Sequence, residues 1–168
     1  ALELLRKPLV AENKGQFLEG TLLFADISGF TDLSERLKEI GGKAGAEEVV
    51  RVINEYLDVM LGILFKHDGL LIKFGGDAML CLFMKKNGSE QGAMNALWAA
   101  WEMKQTMVER FGAIEVFQQV FPLSMKAGSN SGLLFAANVG TSEHMEYVLT
   151  GSAVERTARA ESAAREGD

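Results

Sequence analysis

Cysteine, histidine and clustered basic residues are all scarce in this chain of 168 residues, and each scarcity removes a class of function. Cys81 is the only cysteine. A disulfide framework is therefore excluded, and a reducing compartment is the natural setting. Cys81 sits in the apolar run Ala78 to Phe83 with no histidine at a useful spacing, so it reads as a buried thiol and not as a nucleophile. The two histidines, His67 and His144, lack partners at metal-ligand spacing, which argues against zinc chemistry. No Lys/Arg run exceeds two residues, and the net charge is −6 with a pI near 5.0. The electrostatic footprint of a nucleic-acid binder is missing, so nucleic acid is not an expected partner. No apolar stretch approaches the ~20 residues of a membrane span. No signal peptide is visible either, so the expected location is the cytoplasm. The chain starts and stops abruptly, as an excised piece of a longer protein would.

What is present is core-forming material. Apolar residues make up 48% of the chain, mean hydropathy is +0.06, and the length suits one domain. Gly20 to Ala25 reads as a strand buried on both faces. Asp32 and Glu35 have capping-box spacing ahead of a helix carrying Leu33, Leu37 and Ile40, which Gly41 and Gly42 stop. A longer helix follows from about Ala46 to Lys66, with Val49, Ile53, Tyr56, Met60 and Leu64 on one stripe. Leu70 to Phe74 and Ala78 to Met84 read as a hairpin. Ser89 is a candidate cap for a helix from Glu90 to Phe111 carrying Ala93, Leu97, Trp101 and Val108. The Met and Trp residues between Met94 and Met107 read as core or interface. Leu123 to Ser129 and Gly132 to Val139 read as a strand pair around the turn signal Ser129-Asn130-Ser131-Gly132. His144 to Leu149 is a short strand, and Ser152 to Arg165 a final helix. The order predicts an α+β fold: a ferredoxin-like β-α-β-β-α-β kernel with helices packed on an antiparallel sheet.

Two carboxylates stand out. Asp26 ends a buried strand and runs at once into Ser28, Gly29 and Thr31, a tight turn into a helix. Asp77 follows Gly75 and Gly76 at a hairpin tip. The β-α-β order brings the two strand ends together, and paired carboxylates repel unless a cation lies between them. A hard divalent ion, Mg²⁺ or Mn²⁺, is suited to that place. The plainer alternatives are a helix cap for Asp26 and a turn aspartate for Asp77. Backbone amides from Ile27 to Thr31 at a helix start suit a phosphate, although an ordinary strand-to-helix turn has the same pattern. Lys73 lies in an apolar strand pattern, either snorkelling at an edge or meeting a specific partner. Lys126 and Arg159 are candidate phosphate cations.

Phe24-Ala25-Asp26-Ile27-Ser28-Gly29-Phe30-Thr31 and Lys73-Phe74-Gly75-Gly76-Asp77-Ala78 resemble the two metal motifs of class III nucleotidyl cyclase catalytic domains. The resemblance covers nearly the whole chain, residues 1–168, with Gly140 and the segment Tyr147 to Glu161 matching the late strand and helix. It is nearest to the first catalytic half of the bicarbonate-responsive soluble adenylyl cyclases. It implies a chain that ends before the family's last strands. It also implies an enzyme that converts ATP to cyclic AMP and pyrophosphate with two divalent metal ions. Asp26, Asp77 and the Ile27 carbonyl would hold the metals. The backbone of Ser28, Gly29, Phe30 and Thr31 would hold the β- and γ-phosphates, with Lys126 directed toward them. Lys73 aligns with the lysine that reads adenine, and Arg159 with the arginine that stabilises the α-phosphate in the transition state. The family's site lies between two domains, so the implied partner is a second cyclase domain, in the same polypeptide or as a homodimer.

Two positions depart from the pattern. Val148 stands where a second base-reading Asp or Thr is usual. Glu155 stands where an asparagine orients the ribose. The metal half is intact and the other half is altered, as in a first catalytic half that works with a second. The competing reading is a non-catalytic, cyclase-like regulatory or nucleotide-binding module. A diguanylate-type cyclase fits less well, because Gly75-Gly76-Asp77-Ala78 lacks the following Glu-Phe.

Overall fold

A computed structural model of the chain describes residues 15–85, 89–141 and 145–165. Its main sheet has five antiparallel strands: β1 (Gly15–Ser28), β2 (Leu70–Gly75), β3 (Ala78–Met84), β6 (Ser124–Gly140) and β7 (Met145–Thr150), in the order β2-β3-β1-β6-β7. The first four of these strands in space reproduce the ferredoxin-like plan read from the sequence, and β7 extends it by one edge.

Alternation along the strands sorts the core into two layers. Leu23, Ala25 and Ile27 of β1 join Met79, Cys81 and Phe83 of β3 under three helices: α1 (Phe30–Gly41), α2 (Lys43–Lys66) and α3 (Gln91–Thr106). Leu22 and Phe24 of β1 and Leu80 and Leu82 of β3 face the other way, beneath α4 (Ser152–Ala163). Asp26 therefore shares the α4 face. The core stripe of α2 is Val52, Tyr56, Met60, Ile63 and Leu64. At its end Lys66 and His67 both bond the Glu102 carboxylate of α3, at 2.7 Å each, and hold the two helices together.

Four local expectations need correction. Helix α1 begins one residue after Gly29, a left-handed cap with φ 91°, and no side chain caps it. Asp32 lies inside the first turn, so the capping box does not form, and its charge acts only on the helix dipole. The turn signal at 129–132 lies within the continuous, 17-residue strand β6, because β1 pairs straight through it, from Leu23↔Ser129 to Gly20↔Gly132. Thr21 and Ser131 also share a hydroxyl hydrogen bond of 2.7 Å there. The third helix ends at Thr106 and passes into a π-helical turn, Met107–Phe111. It buries Gly92, Ala96, Ala99 and Met103, whereas Leu97, Trp98, Trp101 and Val108 are exposed. Finally, β4 (Ile114–Val116) and β5 (Gln119–Phe121) form a small hairpin absent from the sequence reading. Its two turn residues, Phe117 and Gln118, both have positive φ, as a type I′ turn requires. Neither belongs to the Asn-Gly class that announces such a turn.

Candidate functional site

The carboxylate of Asp26 is placed by the sheet and that of Asp77 by a turn. Gly75 pairs with Ala78, so Gly76 and Asp77 form a two-residue loop between β2 and β3. Gly76 has φ 73°, which a glycine supplies without a steric cost. Pairing of β1 with β3 stops at Ala25↔Met79, while pairing with β6 continues to Ser28↔Ser124. Asp26, Ile27 and Ser28 thus project past the last β3 partner, at the end of the sheet where the Gly76–Asp77 turn lies. Gly29 then redirects the chain into α1. An added Cβ there would come within 2.6 Å of the Pro122 carbonyl, so the turn has room only for glycine.

Burial raises the Asp26 carboxyl above its ordinary range, and the nearby Asp77 charge raises it further. Lys126, the residue opposite Asp26 on β6, opposes this from 3.8 Å, as does a hydrogen bond from the Ile27 backbone amide. The same two carboxylates reinforce burial in pushing the phenol of fully buried Tyr56 far above its usual range. The folded state therefore disfavours the ionised form of Asp26. That cost is present above the folded pKa and vanishes below the unfolded value of 3.8. In metal-free buffer Asp26→Asn should melt higher than wild type at pH 7, and the difference should close as the pH falls toward 4. Scanning fluorimetry across that range checks this; a variant that melts lower at pH 7 would mean that Lys126 outweighs burial and Asp77.

The donor set is two carboxylates beside a backbone turn. Among the described residues there is no group of three or more His, Cys, Asp or Glu side chains placed to enclose a metal. Two carboxylates beside a backbone turn suit an ion held by one or two carboxylates, with substrate phosphates and water completing its shell, as Mg²⁺ commonly is.

Lys73, Val148, Glu155 and Arg159 lie apart from the Asp26–Lys126 pair. Lys73 and Val148 line one cavity of about 220 Å³ between β2, β7 and α4, floored by Phe24, Leu80 and Val154. Glu155 and Arg159 are one helical turn apart on α4 and pair with each other, Arg159 Nη2 to Glu155 Oε1 at 2.6 Å, with the arginine side chain 77% exposed. The sequence reading missed Glu161. It is 6% exposed and lies 2.8 Å from Lys126 Nζ. A signal was available: Ala153, Thr157 and Glu161 are spaced i, i+4, i+8, so a carboxylate occupies the buried stripe of an otherwise polar helix.

An antiparallel ferredoxin-like sheet with an aspartate at the end of its first strand and another at the tip of its β2–β3 hairpin defines the class III nucleotidyl cyclase architecture. Residues 13–168 match the adenylate and guanylate cyclase catalytic domain, and the chain belongs to that family. It is 27% identical over 143 residues to adenylate cyclase 1 of Rhizobium meliloti, covering 85% of this chain and 20% of that protein. Human adenylate cyclase type 10 is 24% identical over 155 residues, covering 90% of this chain and 9% of that protein. The chain thus spans a fifth or less of either relative. Among solved structures, the adenylyl cyclase CyaB from P. aeruginosa superposes with a TM-score of 0.77 at 30% identity, covering 92% of this chain and 76% of that one. The guanylyl cyclase Cya2 superposes at 0.65 with 28% identity, covering 92% and 73%. Both nucleotide specificities therefore occur among its relatives. No helix among the described residues is long and apolar enough to cross a membrane.

Proposed function

We propose that this domain is the metal-binding half of an adenylyl cyclase site completed by a second cyclase domain. The observation that carries the reading is the separation of the two groups. Asp26 and Asp77 gather at one end of the sheet, whereas Lys73 and Val148 line a cavity of their own. In the reaction the ATP 3′-oxygen bonds to the α-phosphorus and pyrophosphate leaves. Asp26, Asp77 and the Ile27 carbonyl would hold two ions, Mg²⁺ or Mn²⁺. When bound, those ions supply Lewis-acid activation of the hydroxyl and charge neutralisation at the leaving group. The amides of Ser28, Gly29, Phe30 and Thr31, at the positive end of α1, would hold the β- and γ-phosphates, with Lys126 beside them. The base-reading contacts and the transition-state arginine would come from the partner's surface.

This domain's own base-side surface is poorly suited to that task. Val148 offers no hydrogen bond to a base, and Glu155 both pairs with Arg159 and places a negative charge where polyphosphate would come. The same pairing is the observation that favours the second reading, a cyclase-like module without turnover of its own.

Calorimetric titration of Mn²⁺ with a non-cyclisable ATP analogue separates these readings from a merely structural role for the aspartates. Affinity should fall on Asp26→Ala and on Asp77→Ala. Unchanged binding in both variants would remove the metal assignment.

A further inference from the structure

Lys126 stands between two carboxylates and is not shared equally. Its ammonium is 2.8 Å from Glu161 Oε1, within hydrogen-bond distance, and 3.8 Å from Asp26 Oδ2, beyond it. Glu161 is the buried member, with its side chain 8% exposed against 27% for Asp26. Its position is enforced by the backbone. At Gly128, two residues along β6 from Lys126, an added Cβ would lie 2.1 Å from the Glu161 amide nitrogen and 2.6 Å from its Cα. Only a glycine lets the last turn of α4 sit this close to the strand, and that contact sets the Glu161 carboxylate against the lysine.

We propose that Glu161 is a positioning residue that holds the Lys126 ammonium off Asp26, so that Asp26 stays open to a divalent ion. The inference rests on the metal assignment of Asp26 given above. Its physical basis is competition. A lysine fixed beside a carboxylate is a tethered cation at very high local concentration, and a divalent ion must displace it. With Glu161 present, the ammonium has its own buried counter-ion, and the pair is nearly neutral toward the site. With Glu161 neutralised, the Asp26 carboxylate is still within 4 Å of the ammonium. The ammonium needs to move only about 1 Å (3.8 less 2.8) to make with Asp26 the contact it now makes with Glu161. That new ion pair would occupy the carboxylate that the metal needs.

Mn²⁺ binding to the protein without nucleotide, read from the loss of the free-ion electron paramagnetic resonance signal, tests this without any turnover. Glu161→Gln should weaken Mn²⁺ binding about fivefold or more. Lys126→Met should leave the affinity unchanged or raise it. In the Lys126→Met background, adding Glu161→Gln should change the affinity by less than about twofold, because the competitor has gone. If Glu161→Gln weakens binding equally in both backgrounds, Glu161 acts only through its own charge or through the fold, and the proposal fails. If Lys126→Met alone weakens Mn²⁺ binding, the lysine assists the metal and does not compete with it, and the proposal fails even where Glu161→Gln does not fold. If the wild type takes up Mn²⁺ only with the non-cyclisable ATP analogue present, the same comparison is made with the analogue; if it binds no Mn²⁺ either way while remaining folded, the metal assignment itself is lost, an outcome distinct from the first two, in which wild-type binding is intact.

Discussion

Asp26→Asn or Asp77→Asn in the full-length protein should lower cyclase turnover by on the order of 10²–10³ or more, the range expected when a preorganised electrostatic group is removed from a transition state. Arg159→Ala should cost far less. The contrast follows from where the charges lie. Asp26 is part of a cluster with Asp77, Lys126 and Glu161, whereas Arg159 is exposed on α4 and committed to Glu155. If the site is completed by a second cyclase domain, as proposed, the partner's arginine would serve the productive centre and Arg159 would face the altered one. The variant melts in metal-free buffer should show that the aspartate substitutions leave the fold intact. In an assay of the isolated domain, Glu155→Asn together with Val148→Thr should raise activity from a low base. Equal, complete loss from Asp77→Asn and Arg159→Ala would point to a symmetric homodimer in which both halves are used, and the half-site reading would have to go.

Gly45→Ala should destabilise the domain strongly, with a net cost of about 2 kcal/mol, while Gly62→Ala in the same helix should stabilise it by up to about 1 kcal/mol. Both glycines lie within α2 and carry the same helix-propensity penalty relative to alanine, about 0.8–1.0 kcal/mol. Their surroundings differ. A Cβ at Gly62 meets nothing within 4 Å. At Gly45 it would fall 1.8 Å from the Leu37 carbonyl oxygen and 2.5 Å from its carbon. Those are backbone atoms of α1, so no rotamer change relieves the clash and the two helices must part. Overpacking of this kind typically costs 1–3 kcal/mol and occasionally more, which outweighs the propensity gain. For a domain of this size, 2 kcal/mol corresponds to a fall of roughly 4–8 °C in Tm. Because Leu33 and Leu37 are core residues of the helix that follows the Ser28-Gly29 turn, the nucleotide binding proposed for that turn should weaken along with stability. Urea denaturation of the pair checks the opposite signs; two shifts of the same sign would mean that helix propensity outweighs packing at this corner.

The kernel was legible because its elements are marked at both ends and by period. Gly41-Gly42 closes α1, the paired glycines before Asp77 mark the hairpin, and β3 is an unbroken apolar run, as strands covered on both faces are. The placement of the two aspartates was legible for a similar reason: Asp77 lies at that hairpin tip, and Asp26 lies where β1 gives way to the Ser28-Gly29 turn. The misreadings share a different cause, in that distant partners decide them. Nothing local in Ser129-Asn130-Ser131-Gly132 says that β1 will pair across it. On α3 the large residues Leu97, Trp98 and Trp101 draw the eye to one face, but the helix packs by its small one, Gly92, Ala96 and Ala99, because Gly92 lies against the Met84 backbone where a Cβ would sit 2.6 Å from its carbonyl oxygen. Glu161 went unassigned because its meaning depends on Lys126 and Gly128, residues of a different element.

The exposed face of α3 also decides what intrinsic fluorescence can report. Both tryptophans of the chain are there, 52% and 57% exposed, with their rings edge to face at 6.0 Å. The native domain should emit like hydrated indole, so unfolding will hardly shift its spectrum, and tyrosine-region circular dichroism from buried Tyr56 is the better measure of the core. Conversely, a blue shift on mixing with another protein would place that partner on this helix, on the opposite face of the sheet from Asp26, and would give no information on whether the nucleotide site had been completed.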